Sequence, residues 1–342
     1  MAIQSNTYFQ DNEDLSNKCE KDDALEVVSL TNINNFSYPK FPSGGGASWV
    51  KAYTTNIYDG GTTEGRRVQF PMVGTKPTFN SKLLYQGYTS SLTITATSSR
   101  LLIGGTMLYP SSFYKGVLPT VLLIVLCGGG GAGAGSTNLY TGSGGGGSGG
   151  VIVDVVPTSG TITITMGSGG STSQVAEGGT AGSGGNSTLK ITGGASTRTA
   201  YGGGGGGVRN GGGGGGSGGS ASGGTYTYSG ASGGGGSGSE SYSGTAGSTW
   251  NNALRPYSGS VYAKSFINSG GSAGSGGRSG GGGGGSPFAQ GSKGSAKSSA
   301  ANSGAYGSGG GGGGCRNGIF GAASTGGNGG TGYVQIYGGY AP

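Results

Sequence analysis

The chain contains no histidine among its 342 residues, only three cysteines, and only 9% charged residues. Without histidine, a Ser-His-Asp triad, a histidine zinc set and an imidazole proton relay are all excluded. Cys19, Cys127 and Cys315 are too few and too widely spaced for a disulfide framework or a local metal motif. Their odd number leaves at least one without an intrachain partner, and inert free thiols are expected. Acidic residues are scarce: after residue 120 only Asp154, Glu177 and Glu240 remain, in no recognisable catalytic arrangement. Asp154, inside VIVDVV, is expected to face outward or toward a sheet edge. The expectation is a protein that is not an enzyme and uses no cofactor and no metal.

Long hydrophobic runs are also missing. The most apolar stretch, VLPTVLLIVLC at residues 117–127, contains Pro119 and runs into Gly128. A membrane-spanning helix needs about 20 residues, so a buried strand or an assembly contact is expected and no membrane span. The first 15 residues are polar and acidic and lack the apolar segment of a secretory signal. The formal net charge is +7, yet the basic residues after residue 120 are scattered: Lys190, Arg198, Arg209, Arg255, Lys264, Arg278, Lys293, Lys297 and Arg316. No Lys/Arg cluster, zinc-finger spacing or RNA-binding aromatic motif is present, so no nucleic-acid partner is expected.

Glycine is what the chain has in abundance. Of 90 glycines, 11 lie in residues 1–120, and the rest crowd into tracts such as 202–207, 211–216, 280–285 and 309–314. A region of that composition cannot build an ordinary side-chain core. Either it is disordered or its backbone supplies the packing. Polyglycine can adopt a left-handed extended helix of three residues per turn, without internal hydrogen bonds. With no Cβ, such helices can approach closely and satisfy each other's N–H and C=O groups, against glycine's large backbone entropy. Runs of four to six glycines with little proline exclude a collagen period.

Short aliphatic strands embedded among the tracts argue against a flexible linker. They are VLLIVL at 121–126, VIVDVV at 151–156, the alternating TITITM at 161–166, and YVQI at 333–336. Before residue 120, strands are predicted at 24–31, 52–57, 67–70, 91–97, 101–103 and 107–109, the last two flanking Gly104-Gly105. Three regions follow: a polar N-terminal arm at 1–23, a β-rich attachment domain at 24–120, and a glycine-rich domain at 121–342. The expected fold is mainly β and irregular. An N-terminal β-rich attachment region is followed by a polyglycine-II helix sandwich with short flanking strands. Leu101, Leu102 and Ile103, with Val121, Leu122, Leu123, Ile124, Val125 and Leu126, are expected to join the two.

The ordered combination of residues 121–131, 144–156, 161–170, 184–189 and 327–336 resembles the glycine-rich domain of phage tail-fibre and tail-tip adhesin proteins. The resemblance covers roughly residues 117–340 and rests on the ordered set rather than on any single tract. It implies a glycine-helix sandwich whose connecting loops contact the bacterial surface. Residues 1–120 do not match the attachment domain of such adhesins. The implied function is recognition of a bacterial surface receptor, protein or glycan, by a virion component. Its partners would be other phage tail or fibre subunits, and it would be extracellular after release by host lysis. A purely structural virion protein and a self-assembling extracellular matrix or surface component are the alternatives. Between tracts lie Tyr140, Tyr226, Tyr228, Tyr242, Trp250, Tyr257 and Phe288. Aromatic rings of this kind can stack on sugars or anchor interfaces, and these seven are the candidate receptor-binding residues. The competing expectation for each is that it caps the glycine body.

Overall fold

A computed structural model of the chain describes residues 78–113, 117–194, 196–209, 211–254, 264–316 and 323–340. The polar arm, the strands expected before residue 78 and the candidate Tyr257 lie outside the described residues.

Sixteen strands are present among the described residues. They are β1 (Thr78–Gly87), β2 (Ser91–Ala96), β3 (Leu101–Ile103), β4 (Thr106–Leu108), β5 (Val121–Cys127), β6 (Gly135–Ser136), β7 (Val151–Pro157) and β8 (Thr161–Thr165). They continue with β9 (Gln174–Val175), β10 (Ser187–Ile191), β11 (Arg198–Ala200), β12 (Ala221–Ser222), β13 (Tyr226–Tyr228), β14 (Trp250–Leu254), β15 (Lys264–Asn268) and β16 (Tyr333–Tyr340). A five-stranded antiparallel sheet has the order β1-β16-β5-β7-β13, and a seven-stranded one the order β12-β11-β10-β8-β2-β3-β4. A β14-β15 hairpin and a two-residue parallel β6-β9 pair complete the set.

Sequence pattern accounts for where each strand sits. Strand β8 alternates, burying Ile162 and Ile164 while its threonines face outward, as one-sided burial requires. Strand β5 is continuously apolar because the five-stranded sheet is covered on both faces. Leu122, Ile124 and Leu126 pack with Leu92, Ile94, Leu101, Ile103, Ile162, Ile164 and Leu189 between the two large sheets. On the opposite face, Leu123, Val125 and Cys127 join Val151, Val153, Tyr337 and Trp250.

Strands on both sides of residue 120 share these sheets. Strand β1 pairs with the C-terminal β16, and β2 lies between β3 and β8. Of the expected joining residues, Leu101, Ile103 and Leu122 to Leu126 are buried, whereas Leu102 and Val121 are half-buried. Asp154, expected to face outward or toward a sheet edge, is buried on a strand inside the sheet instead. Its carboxylate pairs with Arg198 of the other sheet, and it accepts hydrogen bonds from Thr225 Oγ1 at 2.7 Å and Thr225 N at 3.2 Å. A carboxylate inside an apolar stack requires such partners.

The expected attachment region followed by a polyglycine-II helix sandwich is overturned. The regular elements are β-strands in open, unclosed sheets, and the three-residue 3-10 turn at Pro110–Ser112 is the single helical element among the described residues. The glycine tracts emerge from the strand ends and prolong their pairing. Beyond the β5-β7 ladder, Gly128, Gly131 and Ala134 donate to Gly150, Gly147 and Gly144. Beyond β5-β16, Gly130 and Gly133 donate to Gly330 and Gly327. The remaining donors, Gly129 and Ala132, reach Gly185 and Gly182, which lead into β10 of the other sheet. Three successive N–H groups therefore serve three neighbours. Sheets faced by side chains pack about 10 Å apart; where the side chains end, the layers close to direct hydrogen bonds of 2.8–2.9 Å.

Candidate functional site

Each out-and-back pair of tracts ends in a short connection carrying larger residues. The connection after residues 128–135 is closed by its own side chains. The Ser136 hydroxyl donates to Thr141 O at 2.8 Å, Asn138 N donates to Ser136 Oγ at 3.1 Å, and Tyr140 N donates to Asn138 Oδ1 at 2.8 Å. These local serine and asparagine bonds replace a strand ladder with a turn. The connection near residue 240 uses a serine staircase: Ser239 N donates to Ser237 Oγ and Ser241 N to Ser239 Oγ.

Backbone bonds draw the connections together. Gly142 donates to Ser237 O, Arg278 N to Ser239 O, Cys315 N to Arg278 O, Arg316 N to Asn138 O, and Ser298 N to Cys315 O. Arg278 and Ser298 adopt left-handed φ angles of 56° and 59°. Such angles are uncommon outside glycine, and the flanking hydrogen bonds hold both residues there. The guanidinium of Arg278 lies over the Tyr140 ring, 5.1 Å from its centroid, and Nη1 pairs with Glu240 Oε1 at 3.0 Å. Buried Cys315 lies in the field of this group. Burial pushes its thiol up, Lys297 and Arg278 pull it down, and Glu240 pushes it up again.

The aromatic candidates divide between the two ends. Tyr140 and Tyr242 stand 61% and 72% exposed on these gathered connections. The other described candidates lie beside the sheets. Tyr226 and Tyr228 are half-buried on β13, paired to β7. Trp250 is buried, donates Nε1–H to Ser229 O at 3.2 Å and meets Tyr228 edge-on at 6.1 Å. Phe288 is half-buried, its ring 4.9 Å from that of Tyr333. Sequence reasoning missed Glu240 and Arg278 as site residues. The available signal was their position: each falls in a short interruption between tracts, where an out-and-back path must turn.

No group of three or more His, Cys, Asp or Glu side chains that could hold a metal occurs among the described residues. Likewise, no helix among them is long and apolar enough to cross a membrane.

Fold and loops together define a glycine-rich scaffold, held to its sheets by lateral backbone bonds, that brings Tyr140, Glu240 and Arg278 together on its connections. The chain belongs to the glycine-rich domain family, whose model matches residues 116–338. No curated protein matches the chain.

Proposed function

We propose that this chain is an adhesin-like component of a phage tail fibre or tail tip, which recognises a bacterial surface receptor and mediates host attachment. The gathering of the connections at the end opposite the sheets carries this reading. Tyr140, Glu240 and Arg278 are brought side by side from segments about 40 to 140 residues apart in sequence, Tyr242 follows Glu240 on the same connection, and the backbone-bonded body behind them holds the group. Preorganised aromatic and guanidinium groups are the residue types that dominate recognition hot spots. The sheet end, with residues 1–77, would mount the chain on other tail or fibre subunits, which places it in the virion and outside the cell after host lysis. Its role is binding, not catalysis.

The test is binding of the purified chain to envelopes from susceptible and resistant bacteria. Saturable binding to susceptible envelopes alone, lost when Tyr140 and Tyr242 are both changed to alanine, is the expected result. Firm incorporation into particles without selective envelope binding would instead identify a structural virion protein, and extended self-assembled arrays a matrix component.

A further inference from the structure

Resting on that reading, the chemistry of the loop end names a ligand class. Four of the nine basic residues that look scattered after residue 120 converge here. Arg209, Arg278, Lys297 and Arg316 all lie on the gathered connections, against two carboxylates, Glu177 and Glu240. Glu240 is engaged by Arg278, and no carboxylate among the described residues lies within ion-pair distance of Lys297. Lys297 is exposed. Arg278 binds Glu240 and Leu139 O through Nη1 alone, so Nη2 has no hydrogen-bond partner among the described residues. With Nη1 engaged and Nε buried, Nη2 is the group left to donate a charge-assisted bond to an anion. The field is positive, and it falls on a surface rather than in an interior.

The apolar character of this end is equally specific. Its exposed large hydrophobic side chains are two tyrosines, Tyr140 and Tyr242; the exposed Met107 and Val117 belong to the sheet end. Of the aliphatic side chains nearby, Val208 and Ala181 are buried in a small cluster with Ala132 and Ala134, and Leu139 and Val175 are half-buried. Protein hot spots form in desolvated apolar pockets, and no fully exposed aliphatic side chain is offered here among the described residues. An aromatic ring with one face covered by Arg278 and the other open, set among serine hydroxyls, suits the face of a sugar ring. Ser241, Ser298 and Ser299 are exposed on the same gathered connections.

We propose that the loop end binds an acidic saccharide, a sugar chain bearing carboxylate or phosphate groups, stacked on Tyr140 or Tyr242 with its anion held by Arg278 and Lys297. A neutral sugar would leave the charges unused, and an acidic protein loop would leave the tyrosines without a pocket.

The experiment measures binding of the full chain to oligogalacturonate, to phosphorylated mannan, and to uncharged mannan and dextran, beside the envelope assay. Binding to an acidic probe and not to the neutral ones is expected, and whichever acidic probe binds distinguishes carboxylate from phosphate. That binding should weaken at least about tenfold in Lys297→Glu and in Arg278→Gln, and less in Arg278→Lys, as expected for a charge-assisted contact. It should also fall in about 0.5 M salt, where surface charges are screened within a few ångströms. Tyr140→Ala, at an exposed position, should weaken it without changing the unfolding midpoint. Equal binding to neutral and acidic probes, or to none, overturns the inference. So does envelope binding that is destroyed by protease yet insensitive to periodate and salt; the adhesin reading would then stand with a protein receptor. Acidic-probe binding without envelope selectivity would leave the saccharide site standing and remove the adhesin reading.

Discussion

The two ends of the molecule are stabilised by opposite means. At the sheet end, Leu92, Leu101, Leu122, Ile124 and Ile164 fill the space between layers with side chains. In the glycine body the layers meet through N–H and C=O groups with nothing between them. A side-chain core is tolerant: trimming a methyl group leaves a small cavity, and neighbours relax into it. A backbone core has no such give, because an added Cβ meets a carbonyl that is itself hydrogen-bonded. Apolar burial orders the first region, and complete backbone pairing the second.

The largest effect should come from dividing the molecule where its composition changes. A chain beginning at residue 117 would lack β1 to β4, removing Leu92, Ile94, Leu101 and Ile103 from the core and uncovering the edges of β8 and β16. We expect no soluble, cooperatively unfolding product, checked by near-ultraviolet circular dichroism and thermal denaturation. A fold that survived this cut would show the glycine body to be self-sufficient.

Next in size is Gly133→Ala. Its Cβ would fall on the carbonyl of Gly311, backbone that cannot swing aside. A loss of more than about 4 kcal/mol is expected in denaturant melts, beyond the range of ordinary substitutions. Gly214→Ala is the matched control. There a Cβ meets only the Arg209 side chain, at 3.8 and 3.9 Å, and a change within about 0.5 kcal/mol is expected. Equal effects at the two glycines would remove the distinction between backbone and side-chain packing.

Asp154→Ala tests the polar tie between the sheets. It strands Arg198 and leaves Thr225 without its acceptor. About 3–5 kcal/mol should be lost, and the double change Asp154→Ala with Arg198→Met should recover part of it.

The smallest effect is a pH dependence at the junction of the two regions. Cys127 is buried where β5 passes into the first tract, and desolvation pushes its thiol from 9.0 up to about 12. The folded state therefore keeps a proton that the unfolded chain releases. The stability tied to that neutral thiol is complete below pH 9 and is lost as pH rises toward about 12. The slope for one group is about 1.4 kcal/mol per pH unit. Cys127→Ala should flatten it in alkaline unfolding curves, and the native thiol should resist alkylation near pH 8.

Much of the strand content was legible in the sequence. The alternation of TITIT marked β8, SLTITA marked β2, and VLLIVL and VIVDVV marked β5 and β7, because period and branching report directly on burial. Strands β13 and β14 were not recognised. Tyr226–Tyr228 and Trp250–Leu254 are too short and polar to show a period, and they form by pairing with β7 and β15. The aromatic candidates were legible only as a set. Ring chemistry alone does not separate Trp250, which closes a core face, from Tyr242, which stands in solvent.

By itself, the sequence determined that this chain lacks a histidine-based site and that its glycine region must pack through its backbone or not at all. It also located the strands whose side chains carry a burial period. Tertiary structure alone decided that residues before and after 120 share the same sheets and that strand register continues into the glycine tracts. It also decided that Tyr140, Glu240 and Arg278 meet at one end. The physical reason is that a glycine tract has no side chain to report its neighbours. Its position is set by which carbonyl its N–H groups reach, and that is a property of the folded chain.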